Sequence, residues 1–337
     1  MQKTYLGHLP ADDPLHGYLQ YVIQPQVSGS ASRATYRVFQ MRGSHDVYLY
    51  EDKYSGARVV GKFFLAKHGG DAEKAAHHLT REFENLCLVR DSGLAAWPHY
   101  VPRPLGRNYS INDLLVVEYC YGQLMSDVIR ESIRAHDDSW LFGKLTALAY
   151  FLATLHNRTV IDCTVDFNED CQYLDHLVTR LLKISAIGWD EACELYWLRD
   201  RWREQPRMWE DRQVLVHGDA TPENFMVGDG LSVIAFDLER ASRADRVFDV
   251  GRLAGELKHF FLQATGNKYA AEPFIGHFLW EYACHFPDRD RAFHSITGRI
   301  PFHMGTTLLR IARNGWVSSD YRRQLINEAK ACLWSWQ

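Results

Sequence analysis

The sequence predicts an α+β protein, with a small β-rich N-terminal part and a larger, mainly helical C-terminal part. Three observations carry this prediction. Residues 35–65 contain three short apolar runs separated by turn-forming residues, which is typical of strands joined by turns. Residues 141–155 repeat leucine at intervals of four and three, which indicates a helix with one buried face. Residues 214–239 combine short apolar runs with a Gly-Asp-Gly turn, which indicates a β-hairpin within the helical part.

The composition is that of an ordinary globular protein. Hydrophobic residues make up 46% and charged residues 24% of the 337 residues, and the net charge of −4 gives no reason to expect nucleic acid as a partner. The seven cysteines are scattered and form no C-x-x-C pair, so neither a disulfide framework nor a zinc site is indicated, and a reducing cytoplasm is expected. The N-terminus lacks the apolar region of a signal peptide, and the most apolar segment, residues 141–155, is too short to span a bilayer. No membrane association is therefore expected.

Strands are expected at residues 35–41, 47–51 and 57–65. Residues 1–34 are expected to be an N-terminal extension that is largely loop, with a short strand or helix at residues 18–24. Lys62 lies in the third strand, within the apolar run VVGKFF. An exposed strand lysine is the simplest interpretation, but the apolar neighbours of Lys62 argue against it, whereas Lys67 nearby is expected to be a solvated lysine.

A helix is expected at residues 72–90, where apolar residues recur at helical spacing. Glu82 lies beside this apolar stripe, whereas Glu84 does not and is expected to be a solvated helix acid. The run LLVVEY at residues 114–119 indicates a buried strand.

The rest of the chain is expected to be mostly helical. Helices are expected over residues 125–135, 141–155, 173–184, 190–202, 300–313 and 321–336. His156 directly follows the second of these and is expected to be a buried, hydrogen-bonded histidine. Residues 158–213 contain tryptophans and acids that would suit a cationic ligand, but interleaved arginines mean that the region does not identify one.

Polar residues in the 214–239 stretch indicate a metal site. A His-Gly-Asp triplet ends in Asp219, Asn224 follows it, and Asp237 ends the return strand of the hairpin. Such a hairpin could bring these three side chains together. Carboxylate and amide oxygens are the hard ligands that suit Mg²⁺. A surface hairpin with incidental acids is disfavoured, because these residue types are poor strand formers set beside apolar β runs.

The pattern H-G-D-x4-N, followed by D-x-E after a hairpin, resembles the catalytic core of the aminoglycoside phosphotransferase and choline kinase family. That family is the small-molecule branch of the protein-kinase-like fold. The resemblance implies a bilobal α+β fold, with a nucleotide-binding N-lobe at residues 35–119. A C-lobe at residues 120–337 would hold the catalytic and substrate-binding residues.

The resemblance also implies roles for the charged residues. Asp219 is the expected catalytic base, and Asn224 and Asp237 are the expected Mg²⁺ ligands. Lys62 is expected to bind the nucleotide phosphates. Glu82 is expected to orient Lys62, because it is the acid of its helix that fits the spacing of the family.

Two segments are expected to bind the nucleotide through their main chain. The turn that contains Gly43 and Ser44 is expected to cover the phosphates, although it carries one glycine only. The segment around Glu118 to Cys120 resembles the hinge between the lobes, where main-chain groups would bind the adenine edge.

Three further residues are expected to support the site. His217 and Glu239 are expected beside the catalytic base and the metal ligands, with Glu239 also a candidate ligand of a second metal ion. Asp249 is expected to be a buried acid that braces the catalytic loop. The family usually carries G-D-P-x-x-D-L here, and this chain lacks that glycine and proline.

The resemblance therefore implies an ATP- and Mg²⁺-dependent phosphotransferase that moves the γ-phosphate to a hydroxyl of a small molecule, such as an aminoglycoside, amino alcohol or sugar. GTP is the alternative donor. Two other functions stay open: a kinase of a protein or envelope saccharide, and a non-catalytic nucleotide-binding scaffold. The sequence carries no recognisable activation-loop signature and keeps the complete motif, which disfavours both. The acceptor and the oligomeric state are not given by the sequence.

Overall fold

The computed structural model describes residues 3–29, 33–41 and 46–336. The chain forms two compact units, one of Met1–Leu124 with Val233–Arg240 and one of Met125–Ser232 with Ala241–Gln337. The first unit is built on a β-sheet and the second is mainly helical. The predicted α+β class, with a β-rich N-terminal part and a mainly helical C-terminal part, is confirmed. The proposed lobe boundary at residues 119 and 120 stays a prediction, and the two compact units divide after Leu124.

The first unit is built around an antiparallel sheet with the strand order β1-β2-β3-β4-β8-β7. The elements of this part of the chain are β1 (Lys3–His8), α1 (Pro14–Tyr18), a π-helical turn (Leu19–Ile23), α2 (Gln24–Ser28), β2 (Tyr36–Met41), β3 (Val47–Asp52), β4 (Arg58–Phe63), α3 (Phe64–Lys67), α4 (Ala72–Asp91), β5 (Ala95–Ala96), β6 (His99–Tyr100), β7 (Pro104–Asn108), β8 (Leu114–Glu118) and β9 (Gln123–Leu124).

The apolar runs form the strands of this sheet. β2, β3 and β4 lie where three strands were predicted, although β4 ends at Phe63 because the next residues form the helical turn α3. Leu49, Val59 and Val116 are buried in one apolar cluster, so the inward faces of β3, β4 and β8 share a core. Lys62 therefore lies on a strand that is paired on both sides, by β3 and β8.

Residues 3–28 are ordered, where the sequence analysis expected mostly loop. β1 pairs with β2 and adds a strand to the edge of the sheet. Leu15, Leu19 and Ile23 recur every four residues and are buried in the same apolar cluster as Tyr36 of the sheet. The sequence indicates a short strand or helix at residues 18–24 alone, because glycine, prolines and acids lie around the repeat, and glycine and proline disfavour helix interiors.

Helix α4 carries Glu82 into the interior of the first unit. The helix begins after Asp71, whose carboxylate accepts the backbone N–H of Lys74 at 3.1 Å. Leu79, Glu82 and Leu86 are all buried on one face. Residues three and four positions apart share a helix face, so the apolar neighbours of Glu82 determine where its carboxylate lies.

The second unit is mainly helical. The elements from residue 125 onward are α5 (Met125–Ala135), α6 (Asp138–Arg158), α7 (Phe167–Lys183), α8 (Trp189–Arg203), β10 (Val214–Val216), β11 (Phe225–Val227), β12 (Val233–Ala235, part of the first unit), β13 (Ser242–Ala244), α9 (Val247–Thr265), α10 (Glu272–Ala283), α11 (Arg289–Thr297), α12 (Ile300–Ala312) and α13 (Ser319–Leu333). Within the described residues, none of the helices has both the length and the apolar character that crossing a membrane requires.

Helices α9 and α12 approach each other closely through two glycines. A Cβ atom on Gly251 would lie 2.4 Å from the Cβ of His303, and one on Gly255 would lie 2.7 Å from the Cβ of Thr307. Neither contact leaves room for a larger residue. Because the two glycines let α9 and α12 approach so closely, polar side chains on the facing sides of these two helices lie next to one another.

His303, in this helix pair, is expected to make the stability of the protein depend on pH. It is 3% exposed, and its Nε2 has no hydrogen-bond partner among the described residues. Burial, and then the charges of Arg299 and Arg252, lower the pKa of His303 to about 3. The imidazole is therefore neutral in the folded state, whereas in the unfolded chain it gains a proton below about pH 6.5.

We therefore expect stability to fall as the pH drops from about 6.5, because the unfolded chain binds more protons. Replacing His303 with Gln should reduce the slope of unfolding free energy against pH by about 1 kcal/mol per pH unit between about pH 6 and 5. Denaturant unfolding at several pH values measures this slope. The exposed His294, replaced in the same way, serves as the control and should leave the slope unchanged. Equal slopes for both variants would contradict the interpretation.

Candidate active site

In the first unit, Lys62 lies at the centre of a cluster of carboxylates. Its Nζ donates to Oε2 of Glu82 at 2.6 Å and to Oδ1 of Asp237 at 2.5 Å, and it lies 3.6 Å from Oε2 of Glu239. The structure thus brings together four residues that the sequence analysis selected from three distant parts of the chain.

Local structure explains how Asp237 reaches this cluster. Strand β12 pairs in parallel with β6, which carries the following residues back into the first unit. Asp237 then adopts a φ of 63°, a left-handed conformation that Asp tolerates better than most residues. The amide of Asn85 on α4 donates to the main-chain oxygen of Leu238 at 2.8 Å, which fixes the segment after the turn.

The charges of the cluster support one another. Burial alone would lower the pKa of Lys62, but the carboxylates of Glu82, Asp237 and Glu239 outweigh it and raise that pKa above its ordinary value. Burial, with help from the two neighbouring carboxylates, raises the pKa of Glu82 to about 7 in spite of Lys62. Lys62 is therefore a permanent cation in this site.

The donor set of the cluster fits a hard cation. Carboxylate oxygens of Glu82, Asp237 and Glu239 lie within 4.8 Å of one another, and oxygen ligands of this kind suit Mg²⁺. Glu239 also accepts a hydrogen bond from Lys67 at 2.6 Å. Lys67 was expected to be a solvated lysine, so this ion pair corrects the sequence analysis.

The remaining nucleotide-binding candidates of the first unit are less informative. Gly43 and Ser44 lie outside the described residues. The side chain of Glu118 accepts the backbone N–H of Arg103 at 2.8 Å, so its carboxylate stabilises the end of β8. Burial raises the pKa of Cys120 to about 12, so its thiol is not a reactive group.

In the second unit, Asp249 braces the loop that carries Asp219. Its carboxylate accepts the backbone N–H groups of His217 at 2.6 Å and Gly218 at 3.0 Å, and it lies 3.2 Å from Nε2 of the buried His156. Burial would raise the pKa of Asp249, but the hydrogen bonds from His156 and His217 lower it below its ordinary value. The carboxylate is therefore ionised and fixes the loop.

The loop itself has a conformation that depends on its sequence. Gly218 has a φ of 77°, which disfavours any residue with a side chain. The ring Nδ1 of His217 accepts the backbone N–H of Asp219 at 3.3 Å. The amide nitrogen of Asn224 donates to the main-chain oxygen of Asp219 at 2.9 Å, so its amide oxygen is the atom left for a metal ion.

Two arginines beside Asp219 were not anticipated. Nη1 of Arg252 on α9 donates to Oδ1 of Asp219 at 2.8 Å, and Nη1 of Arg310 on α12 lies 4.0 Å from the same oxygen. Arg310 forms a short ion pair with the buried Glu256. Both arginines are single cations within apolar runs, V-G-R-L and L-L-R-I, and this is the signal that could have identified them.

Comparison with known proteins identifies the class. The sequence profile of the phosphotransferase enzyme family matches residues 35–284. The chain therefore belongs to the phosphotransferase enzyme family. This membership confirms the predicted enzyme class, a phosphotransferase with a hydroxyl group as acceptor.

Solved structures extend the comparison at the level of the fold. Plasmodium vivax ethanolamine kinase has a TM-score of 0.62 and 13% identity, over 93% of this chain and 86% of that chain. A GDP complex of aminoglycoside 2'-phosphotransferase-IIIa has a TM-score of 0.56 and 17% identity, over 95% of this chain and 99% of that chain. A type I macrolide 2'-phosphotransferase has a TM-score of 0.53 and 15% identity, over 96% of this chain and 99% of that chain. Together with the family membership, these similarities confirm the predicted resemblance and the predicted protein-kinase-like fold. No curated protein matches the sequence.

Proposed function

We propose that the protein is a small-molecule kinase that transfers the γ-phosphate of ATP, with GTP as the alternative donor, to a hydroxyl group in the presence of Mg²⁺. The observation that carries this proposal is the cluster in which Lys62 contacts Glu82 at 2.6 Å and Asp237 at 2.5 Å. A lysine held by a glutamate, beside a metal-binding aspartate, is the arrangement that kinases use to bind phosphates.

The residues of the first unit would bind the donor. Lys62 would hold the distal phosphates, and Glu82 would keep its ammonium group in place. Asp237, together with Asn224, would bind Mg²⁺, and Glu239 would support that site or bind a second ion. Mg²⁺, when bound, neutralises charge on the phosphate oxygens.

Residues of the second unit would act on the acceptor. Asp219 would accept the hydroxyl proton, or orient it if the transition state is loose. His217 and Asp249 would keep the Asp219 loop in one conformation, since both contact its backbone N–H groups. Because phosphoryl transfer needs little covalent chemistry from the protein, positioning of this kind is the main contribution.

The main chain would contribute the remaining contacts. The turn with Gly43 and Ser44 would cover the phosphates, and the segment from Glu118 to Cys120 would bind the base. The proposal places nucleotide binding in residues 35–119, and catalysis and acceptor binding in residues 120–337. A cytoplasmic location belongs to the proposal as well, and the seven free cysteines support it.

Mg²⁺-dependent nucleotide consumption tests the proposal. The full chain would be assayed with ATP and GTP against a panel of small hydroxyl compounds, with each phosphorylated product identified by mass spectrometry. Transfer to a small molecule supports the proposal. Transfer to proteins or saccharide polymers alone, or nucleotide binding without transfer to any acceptor, would contradict it.

Replacing Glu82 with Gln is expected to lower kcat/KM for the nucleotide about 10- to 100-fold, since a charged hydrogen bond to Lys62 is lost. Steady-state kinetics at saturating acceptor measures this ratio. Glu84 lies on the same helix with 66% of its side chain exposed. Its replacement with Gln is the matched control and should leave kcat/KM for the nucleotide nearly unchanged. Equal losses in the two variants would refute the role of Glu82.

A further inference from the structure

The carboxylate of Asp219 lies in a setting that is not acidic overall. Arg252 balances its charge through the 2.8 Å hydrogen bond, and Arg310 is balanced by Glu256. The second unit thus offers no surplus of negative charge at the atom where an acceptor would react. A polycationic acceptor would therefore find no excess of negative charge there to offset its own charge.

Arg252 is fully engaged and is not available to a ligand. Its Nη1 also donates to the main-chain oxygen of Gly218 at 3.1 Å, and its Nη2 donates to the hydroxyl of Tyr173 at 3.2 Å. The guanidinium group also lies 4.8 Å from the ring centre of Phe248, and its side chain is only 4% exposed. Its role is to hold Asp219 in one orientation.

Arg310 has N–H donors that make no hydrogen bond within the described part of the chain. Among the residues that the structure describes, only its Nη2 forms an ion pair at hydrogen-bonding distance, with Glu256. Its Nη1 is 4.0 Å from Asp219, too far for a hydrogen bond, and its Nε is buried without a partner in the described part of the chain. The side chain remains 17% exposed, so part of it is accessible. The Nε is enclosed, so Nη1 is the nitrogen that an acceptor could use, and a guanidinium nitrogen of this kind suits a carboxylate or a phosphate.

We propose that the acceptor of this kinase carries an anionic group, a carboxylate or a phosphate, which Arg310 binds beside Asp219. The inference rests on the proposed function, because it names the substrate class of the same site. Arg310 would select such acceptors through the N–H groups of its Nη1, and a polycationic acceptor would find no excess of negative charge to favour it. The reacting hydroxyl would then lie within reach of Asp219.

Matched acceptors test the substrate class. Hydroxy acids would be compared with their amides, sugar phosphates with the parent sugars, and both sets with aminoglycosides, all with Mg²⁺ and the better of ATP and GTP. We expect the anionic member of a pair to have the higher kcat/KM. The two sets separate carboxylate from phosphate as the favoured group. Equal or better turnover of the amides, parent sugars or aminoglycosides would overturn the proposal.

Variants test the residue. Arg310→Gln is expected to raise KM for the anionic acceptor about 10- to 100-fold and to leave KM for the nucleotide unchanged, because a charged hydrogen bond to the acceptor is lost. Arg310→Lys keeps the positive charge beside Glu256 but loses the planar guanidinium group. It should therefore fold even if Arg310→Gln fails to fold, and it should raise the acceptor KM less than Arg310→Gln does. Arg323 forms a half-exposed ion pair with Glu191, so Arg323→Gln is the control and should leave the acceptor KM unchanged. An unchanged acceptor KM in both Arg310 variants would refute the role.

Calorimetry without nucleotide separates this proposal from the proposed function. Binding of an anionic alcohol that weakens in Arg310→Gln, without transfer from ATP or GTP to any acceptor, would support the subsite and contradict the kinase. Transfer to uncharged or cationic acceptors that is insensitive to Arg310→Gln would support the kinase and overturn the subsite. Failure of every anionic compound to bind would also overturn it.

Discussion

Asp219→Asn is expected to lower kcat by about 10²- to 10⁴-fold, the range in which a positioned acid or base contributes to proton transfer. Asparagine keeps the shape of the side chain and can still accept from Arg252, but it cannot take a proton. KM for the nucleotide should change little, because Lys62 and its carboxylate cluster are untouched. Rapid-quench measurement of a single turnover, at saturating substrates, would isolate the chemical step.

Glu223→Gln is the matched control for this experiment. Glu223 lies on the same loop, but its side chain is 52% exposed and pairs with Arg130 at 2.7 Å. Glu223→Gln should retain nearly full activity, since an exposed ion pair contributes little to the stability of the fold. A fully active Asp219→Asn enzyme would remove Asp219 from the chemistry and leave the site without an assigned base.

Asp237→Asn is the second large effect that we expect, with a fall in kcat/KM of at least about 10²-fold, as for the loss of other groups that stabilise transition-state charge. Asparagine also tolerates the left-handed backbone at this position, so the loss would report the carboxylate and not the turn. The Mg²⁺ concentration for half-maximal activity should rise sharply. Activity titrated against Mg²⁺ at fixed nucleotide measures this shift.

Asp229 lies at the exposed tip of the preceding hairpin and provides the comparison. Asp229→Asn should keep the wild-type Mg²⁺ requirement, because Asp229 has no proposed role in metal binding although it is close to Asp237 in sequence. If Asp237→Asn also kept that requirement, the carboxylate would not be a ligand of the essential metal ion, and its contact with Lys62 would be its main role.

The placement of the residues around Lys62 could be predicted because local periodicity carries the information. A lysine within a short apolar strand, and a glutamate on the apolar stripe of a helix, must both face the interior. The hairpin before Asp237 was visible from its glycines. No equally local pattern predicts that the strand before Asp237 pairs with β6, since that pairing joins distant parts of the chain.

The arginines beside Asp219 could not be placed for a related reason. Arg252 and Arg310 lie on different helices, and their closeness depends on the fit of α9 against α12 at Gly251 and Gly255. A buried cation in an apolar run indicates that some anion must balance it, but the sequence does not name the partner. Lys67 was misjudged in the same way, because Glu239 reaches it from far along the chain.

The path of the chain has a consequence for dissecting the protein. The polypeptide crosses between the compact units after Leu124, after Ser232 and again after Arg240. A fragment ending at Leu124 would lack Asp237, so it would leave Lys62 with a single close carboxylate and β6 without its parallel neighbour. The two units are thus not interchangeable. A chimera that takes its first unit from a relative must also carry the segment that corresponds to Val233–Arg240, and it needs three junctions in place of one.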